Sequence, residues 1–203
     1  MNKQFGAISN TAIVILVVIG AIILYTISSY NGLVSQNQSV NSSWAQVQNQ
    51  YQRRMDLIPN LVNTVKGEAN FEKSTLNDVI NARAKATQIT MSPELLNSPE
   101  QFQKFQQAQG ALGSSLSRLM VVVEKYPDLK TNAQFAQLMD EVAGTENRIA
   151  VARRDFNNTV QQYDTSIALF PKNIFANVFG FKHKEYFQAD EGAAKAPAIN
   201  FNN

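Results

Sequence analysis

Residues 11–30 form the longest uninterrupted apolar run in the chain, TAIVILVVIGAIILYTISSY, and they include no charged residue. At a helical rise of ~1.5 Å per residue, roughly 20 residues span about 30 Å, the thickness of the hydrocarbon core of a bilayer. The run therefore predicts a transmembrane helix, with residues 1–10 as a short N-terminal flank. A cleaved signal peptide is the main alternative, although the apolar part of such peptides is usually shorter, about 7–15 residues. A buried core helix fits least, because no side of the run is polar.

The charges near this run predict its orientation. Lys3 and the terminal amine precede it, and no charged residue follows it until Arg53. The positive-inside rule then places the N-terminus in the cytoplasm and residues 31–188 outside the cell membrane. The chain has no cysteine, which excludes disulfides and is compatible with either compartment.

Beyond the run, apolar residues recur at steps of three, four or seven, which is typical of amphipathic helices. The first series consists of Leu33, Val40, Trp44, Val47 and Tyr51. It predicts a helix that continues from the membrane and packs its apolar stripe into a bundle. A coiled-coil surface for self-association is the alternative, but the uncharged Gln and Asn residues beside the stripe specify no charge pairing.

Two local features are expected to interrupt this first helix. Asn31-Gly32 predicts a break or a bend just outside the bilayer. Pro59 predicts a kink, or the end of one helix and the start of the next, because proline removes a backbone donor and crowds the preceding turn. Past Pro59 the apolar series continues through Leu76 and predicts helix to about Ile89.

Two more helices are predicted from their start signals. One helix is predicted to begin after Ser98 and to end at Pro127. Ser98 can act as its cap, Pro99 occupies the first helical position and Gln101 completes a capping box. Thr131 or Asn132 caps the next, in which apolar or small residues recur at every third or fourth position over residues 135–170.

These patterns predict the fold class. Glycine and proline are sparse, at Gly 9 and Pro 6 in 203 residues, which indicates long helices with few turns. We expect an all-α protein, with one N-terminal transmembrane helix followed by an elongated antiparallel helical bundle over residues 31–188.

The C-terminal part divides into two segments. The first is a short, strongly apolar helical piece that contains Ile174 and Phe175, ends at Gly180 and is followed by the basic run 182–184. It is either a closing element packed across the bundle or an interfacial segment with basic residues for lipid headgroups. Residues 189–203 are small and polar and are predicted to be disordered.

Composition and motifs provide no evidence for an enzyme. The net charge is +2 and no basic cluster indicates a nucleic-acid surface. There is one histidine, His183, with no second ligand within helical reach, so we expect neither a metal site nor a cofactor. The acidic residues Asp140, Glu141 and Glu146 share one helix, where carboxylates are usually only solvated.

Two polar stretches occur where buried helix faces are expected, at residues 50–63 and 144–158. In an antiparallel bundle they can lie opposite each other. Three interpretations remain open: an exposed charged surface, a buried network that fixes the register between helices, or a groove for a ligand or peptide. The candidate residues are Arg53, Arg54, Asp56, Asn60, Asn63, Glu146, Asn147, Arg148 and Arg153.

The same stretches carry a resemblance to a known family. The segments that carry it are residues 30–34, Trp44 with residues 46–47, residues 51–62, 126–130, 144–150, 152–153, 170–171, 179–181 and 186–187. Through these motifs, which are specific in combination, the chain resembles the bacterial LemA family over nearly its whole length. One departure is Phe156-Asn157, where the family pattern often has Tyr-Asn. The resemblance implies an N-terminal membrane helix, an elongated antiparallel helical bundle and no established enzymatic activity.

Functionally, these observations favour a non-enzymatic scaffold or interaction protein of the bacterial envelope. Its expected partners are membrane lipid, through residues 11–30, and a protein partner or a second copy of the chain. Neither a nucleic acid nor a small-molecule substrate is indicated. A sensor that binds a small solute between helices is the alternative, and it requires a pocket near Arg53 or Arg148. A membrane-shaping role is a third possibility, suggested by the anchor and the Phe-rich tail.

Overall fold

A computed structural model describes residues 10–68 and 71–188, and this part of the chain is helical and contains no strand. The predicted disordered tail, residues 189–203, and all but the last residue of the predicted flank, residues 1–10, lie outside it. Pro93–Asn97 forms a short 3-10 helix. The α-helices are α1 Asn10–Lys66, α2 Lys73–Thr87, α3 Pro99–Val123, α4 Pro127–Thr131, α5 Ala133–Ala168 and α6 Lys172–Phe179.

Helix α1 joins the apolar run to the bundle without interruption. Its 57 residues correspond to ~85 Å of helix. From Ile13 to Ile27 the large apolar side chains are 42–71% exposed, so the protein itself does not cover them. This part is long and apolar enough to cross a membrane. The fold class predicted from the sequence is confirmed.

Neither of the expected interruptions ends α1. Asn31-Gly32 and Pro59 both lie inside the helix. On either side of them, residues such as Leu33 and Ile58 are 1% exposed and pack into the core. Most helical stability in proteins comes from packing of an amphipathic face, and here that packing outweighs the local propensity of glycine and proline.

The helix predicted to continue to about Ile89 is instead two helices, so that expectation was wrong. Helix α1 ends at Lys66 and α2 begins at Lys73. Helix α2 runs back along α1, and Arg83 Nε donates a hydrogen bond to the Met55 carbonyl over 3.0 Å. The apolar residues of both helices face the same core, so their spacing gave no sign of the reversal.

The four long helices run up, down, up and down relative to the membrane end of α1. Helix α1 packs closely along α5, and α2 along α3. Distal to the membrane, all four helices share one apolar core. In the half nearer the membrane, α2 is absent and a second core joins α1, α3 and α5 to the 3-10 helix and the C-terminal residues.

The helix starts were predicted well, with one difference in capping. Pro99 opens α3, but the Ser98 side chain makes no capping hydrogen bond, so the predicted capping box is not formed. Asn132 does cap α5, where its Oδ1 accepts from the backbone N–H groups of Gln134 and Phe135 at 3.0 and 3.1 Å.

An aromatic cluster forms the centre of the second core. Trp44 is 0% exposed, and its ring centroid lies 5.5–6.1 Å from those of Phe102, Phe105, Phe156 and Phe187. These residues come from α1, α3, α5 and the C-terminal segment. Trp44 of α1 therefore contacts every other segment that contributes a ring to this cluster.

Residues 181–188, which we call the C-terminal strap, form hydrogen bonds with α5. The Asn157 side chain exchanges two hydrogen bonds with the Phe187 backbone, each 2.9 Å long. The Tyr163 hydroxyl donates to the Lys182 carbonyl over 3.0 Å. Helix α6 itself packs against α1 and α5 through Ala176, which is buried.

The Tyr163 phenol is expected to make stability depend on alkaline pH. Burial, with a smaller contribution from the Asp164 carboxylate, raises the pKa of Tyr163 to about 12. In the unfolded chain a tyrosine ionises near pH 10, about its ordinary pKa. Its contribution to stability is therefore complete below about pH 10 and is lost as the pH rises towards about 12, since only the unfolded chain then releases the proton.

Tyr163→Phe removes this ionisation and should flatten the alkaline loss of stability. The measurement is the thermal midpoint of the detergent-solubilised chain, followed by circular dichroism from about pH 9 to 12. Loss of the hydrogen bond to Lys182 is expected to lower the midpoint of the variant at neutral pH. An equally steep alkaline loss in both proteins would contradict the prediction.

Candidate functional site

Arg53 and Arg54 are adjacent on α1 but occupy different environments. Successive residues of a helix are rotated by about 100°. The Arg53 side chain is therefore 55% exposed, whereas that of Arg54 is 3% exposed and lies between α1, α3 and α5.

Arg54 is the centre of a buried polar network. Its Nη1 donates to Glu146 Oε1 on α5 over 2.7 Å. Its Nη2 donates to the backbone carbonyl of Gln109 on α3 over 3.2 Å, and also to the Gln109 side-chain oxygen. The guanidinium carbon lies 5.1 Å from the centre of the Tyr51 ring, a cation–π contact. One side chain on α1 thus bonds to both α3 and α5.

Two donors of this network have no acceptor among the described residues. They are Arg54 Nε and Gln109 Nε2, both of which are buried. An unpaired buried donor destabilises the fold. The network is therefore a place where an added acceptor group would be stabilised.

A cavity of about 610 Å³ opens beside this network, between α1, α3 and α5. One wall is a strip of small α3 residues, and a Cβ added to Gly113 would lie 3.7 Å from Arg54 Nη1. The absence of side chains at the two glycines of this strip leaves the space open. The wall consists of Gly110, Gly113, Ser114 and Ser117.

The exposed candidates form separate groups. Arg53 pairs with Glu141 of α5 at 3.1 Å, and a shallow depression of about 660 Å³ lies between Arg53 and Arg148. Arg148 donates to the Thr145 hydroxyl over 3.3 Å. The sensor interpretation requires a concave pocket near Arg53 or Arg148, and the depression there is open and shallow.

The remaining candidates do not join the network. Asp56, Asn60, Asn63 and Asn147 are exposed, and Asp56 accepts a hydrogen bond from Gln52 one turn earlier, at 2.8 Å. Arg153 turns to the C-terminal strap, where it donates to the Gln188 carbonyl over 3.0 Å and lies 4.6 Å from the centre of the Phe187 ring.

Gln109 was not among the site residues predicted from the sequence. A signal was present, because Gln109 occupies the apolar stripe of α3, four residues after Phe105 and three before Leu112. A polar residue at a core position needs a partner. The partner is on another helix, so it becomes apparent only in the fold.

The carboxylates and the histidine of the described residues do not form a metal site: no group of three or more His, Asp or Glu side chains there could hold an ion. His183 Nδ1 lies 3.2 Å from Asp164 Oδ2, on the surface. The chemistry that the site offers is charge pairing and hydrogen bonding.

Comparison with known proteins gives relatives along the whole chain. Magnetosome protein MamQ 2 of Paramagnetospirillum magneticum is 26% identical over 210 residues, which cover 96% of this chain and 77% of the relative. Protein LemA of Metamycoplasma hominis is 24% identical over 176 residues, 85% of this chain and 75% of the relative.

The family profile agrees with these relatives and with the resemblance noted in the motifs. Residues 43–201 match the profile of the LemA family. The match includes the network on α1, α3 and α5 and the C-terminal strap. Together with the apolar N-terminal part of α1, the match describes a membrane-associated helical protein, and the chain belongs to the LemA family.

Proposed function

We propose that this protein is a non-enzymatic, membrane-anchored scaffold that binds a protein partner or a second copy of itself along the side of its bundle. The observation that carries the proposal is the continuity of α1. Residues 31–66 add ~54 Å of helix beyond the apolar run. A partner on the bundle is thereby held at a fixed distance from the membrane.

The face between α1 and α5 suits such a partner best. It contains a shallow depression of about 360 Å³, and its lining joins Gln46 and Ser43 of α1 to Arg148, Val151 and Asp155 of α5. Val151 is 47% exposed. This mixture is compatible with a non-obligate protein interface, whose overall apolar content is similar to that of the rest of a protein surface.

Photocrosslinking in intact cells tests this face. A photoreactive amino acid at Val151 is expected to give discrete adducts, with a partner or with the chain itself. The matched control is the same substitution at Val121 on α3, which is 69% exposed and outside this face. Equal labelling at both positions, or a strictly monomeric chain without adducts, would refute the proposal.

The compartment of the bundle determines which partners are reachable, and we propose that it lies outside the cytoplasm. Single cysteines at Lys3, Ser39 and Ala194 can be labelled in intact cells with a membrane-impermeant maleimide, since the chain has no native cysteine. Labelling of Ser39 and Ala194 but not of Lys3 is expected. Labelling of Lys3 alone would place the bundle in the cytoplasm.

A second function, binding of a small polar solute, is favoured by the cavity beside Arg54. Charged and amide groups from three helices converge there, as in ligand sites. Native mass spectrometry of the full chain is then expected to show a small bound molecule. Gly113→Leu should displace it by filling the cavity, whereas Gly32→Leu should not, because a Cβ added to Gly32 would have no neighbouring atom within 4 Å. If the spectrum of the unaltered chain shows no bound molecule, this interpretation is wrong.

A further inference from the structure

Helix α6 lies against the last turns of the apolar run of α1. Buried Ser29 on α1 and buried Ala176 on α6 are small residues that permit close approach. Tyr25 and Phe175 have ring centroids 5.8 Å apart, and Tyr30 and Phe179 are 4.9 Å apart. Since residues 11–30 are the predicted span, α6 lies at the level where α1 leaves the hydrocarbon core.

The outer side of α6 and the turn before it are apolar and uncovered. Phe170 is 80% exposed, Val178 73%, Leu169 58%, Ile174 51% and Phe179 45%. Single exposed apolar residues are common, but a contiguous patch on a soluble protein usually marks a contact surface. In this part of the bundle the patch is next to the exposed apolar side chains of α1.

Basic residues border the patch. Lys172 opens α6, and Lys182 and His183 follow its end, where they are exposed. Gly180 ends the helix with φ +76°, a conformation that glycine adopts without strain. An apolar helix face with exposed basic residues beyond its outer end suits a helix that inserts into a membrane surface.

We infer that α6, with the turn at Leu169 and Phe170, is an interfacial helix inserted into the lipid leaflet from which α1 emerges. The occupant of the patch is lipid: acyl chains against Phe170, Ile174 and Val178, and anionic headgroups near Lys182, at the end of α6 that is further from the apolar run. The patch and the apolar surface of α1 then form one continuous lipid-facing surface. The protein contacts the membrane at two elements, which fixes the tilt of the bundle as well as its position.

Lipid is favoured over a protein as the occupant of this patch because α1 alone brings α6 to the membrane. Tyr25 is inside the apolar run and touches α6 directly. Aromatic residues are enriched at membrane–water interfaces, where their rings lie at headgroup level. A bilayer around residues 11–30 therefore reaches α6 without any further component.

Spin labelling of the full chain in vesicles tests the inference. Single cysteines at Val178 and Ile174 would carry a nitroxide, and the protein would be reconstituted into phosphatidylcholine with phosphatidylglycerol. Molecular oxygen concentrates in the bilayer and a nickel chelate stays in water. The matched control is Val121, which is also valine and 69% exposed, and Val17, 66% exposed on α1, gives the lipid reference.

The ratio of oxygen to nickel accessibility at Val178 and Ile174 is expected to be several-fold higher than at Val121 and to approach that at Val17. A ratio equal to that of Val121 would show that α6 faces water and would overturn the inference. Labels shielded from both reagents would show that a second copy or another part of the chain covers the patch, and would overturn it equally.

Discussion

Replacing Trp44 with alanine is expected to lower the free energy of unfolding by about 3–5 kcal/mol, the usual loss for a large aromatic residue removed from a core. Trp44 is 0% exposed and contacts aromatic rings from α3, α5 and the C-terminal strap. The cavity left behind would remove the contact that each of these rings makes with α1. The membrane-proximal core should therefore loosen as a unit, including the strap.

Denaturant unfolding of the detergent-solubilised chain, followed by circular dichroism, measures this loss. Trp44→Phe should cost clearly less, because it keeps an aromatic ring and because Trp44 Nε1 has no acceptor in the described part of the chain. Val121→Ala, at an exposed position of α3, is the control and should change stability by less than about 0.5 kcal/mol. A loss for Trp44→Ala as small as that of the control would contradict the description of the core.

The second large effect is expected from removing the carboxylate that neutralises Arg54. Glu146→Ala leaves a guanidinium that is 3% exposed without its counterion. Breaking a buried pair in this way costs about 3–5 kcal/mol. We expect the lower end, about 3 kcal/mol, since the Glu146 side chain is 40% exposed and water partly screens the pair.

Glu141→Ala is the matched control on the same helix. Its partner, Arg53, is 55% exposed, and exposed pairs contribute at most about 1 kcal/mol. Adding Arg54→Met to Glu146→Ala should recover much of the lost stability, because the buried charge is then also removed. Equal losses for the two single variants, or no recovery in the double variant, would show that Arg54 is not the buried centre of a network.

The helices that the sequence predicted are those whose signals are local. The apolar run 11–30, the cap at Asn132 and the long periodic series of α5 each depend on residues within a few turns of one another. The structure reproduces them, with α5 ending at Ala168 before Pro171. The family was also identifiable from the motifs, since that resemblance depends only on residue identity and not on which helices meet.

Local signals did not reveal where α1 ends. Pro59 was expected either to kink a helix or to end one; it lies inside α1, so the second alternative was wrong. The reversal between Lys66 and Lys73 was not predicted. Helical periodicity records which side of a helix is apolar, and it does so equally for one long helix and for two antiparallel helices that face the same core. The spacing of apolar residues therefore does not show in which direction a helix runs along the bundle.

The sequence by itself determined that this chain has an apolar run long enough to span a membrane, amphipathic helices and two polar stretches. Only the tertiary structure decided that Arg54 is buried while Arg53 is exposed, that Gln109 of α3 completes the network, and that α6 lies beside the end of the apolar run. The physical reason is that burial and charge pairing are set by which helices meet and at what register. Those quantities depend on contacts between residues such as Arg54 and Glu146, 92 positions apart, which no local pattern specifies.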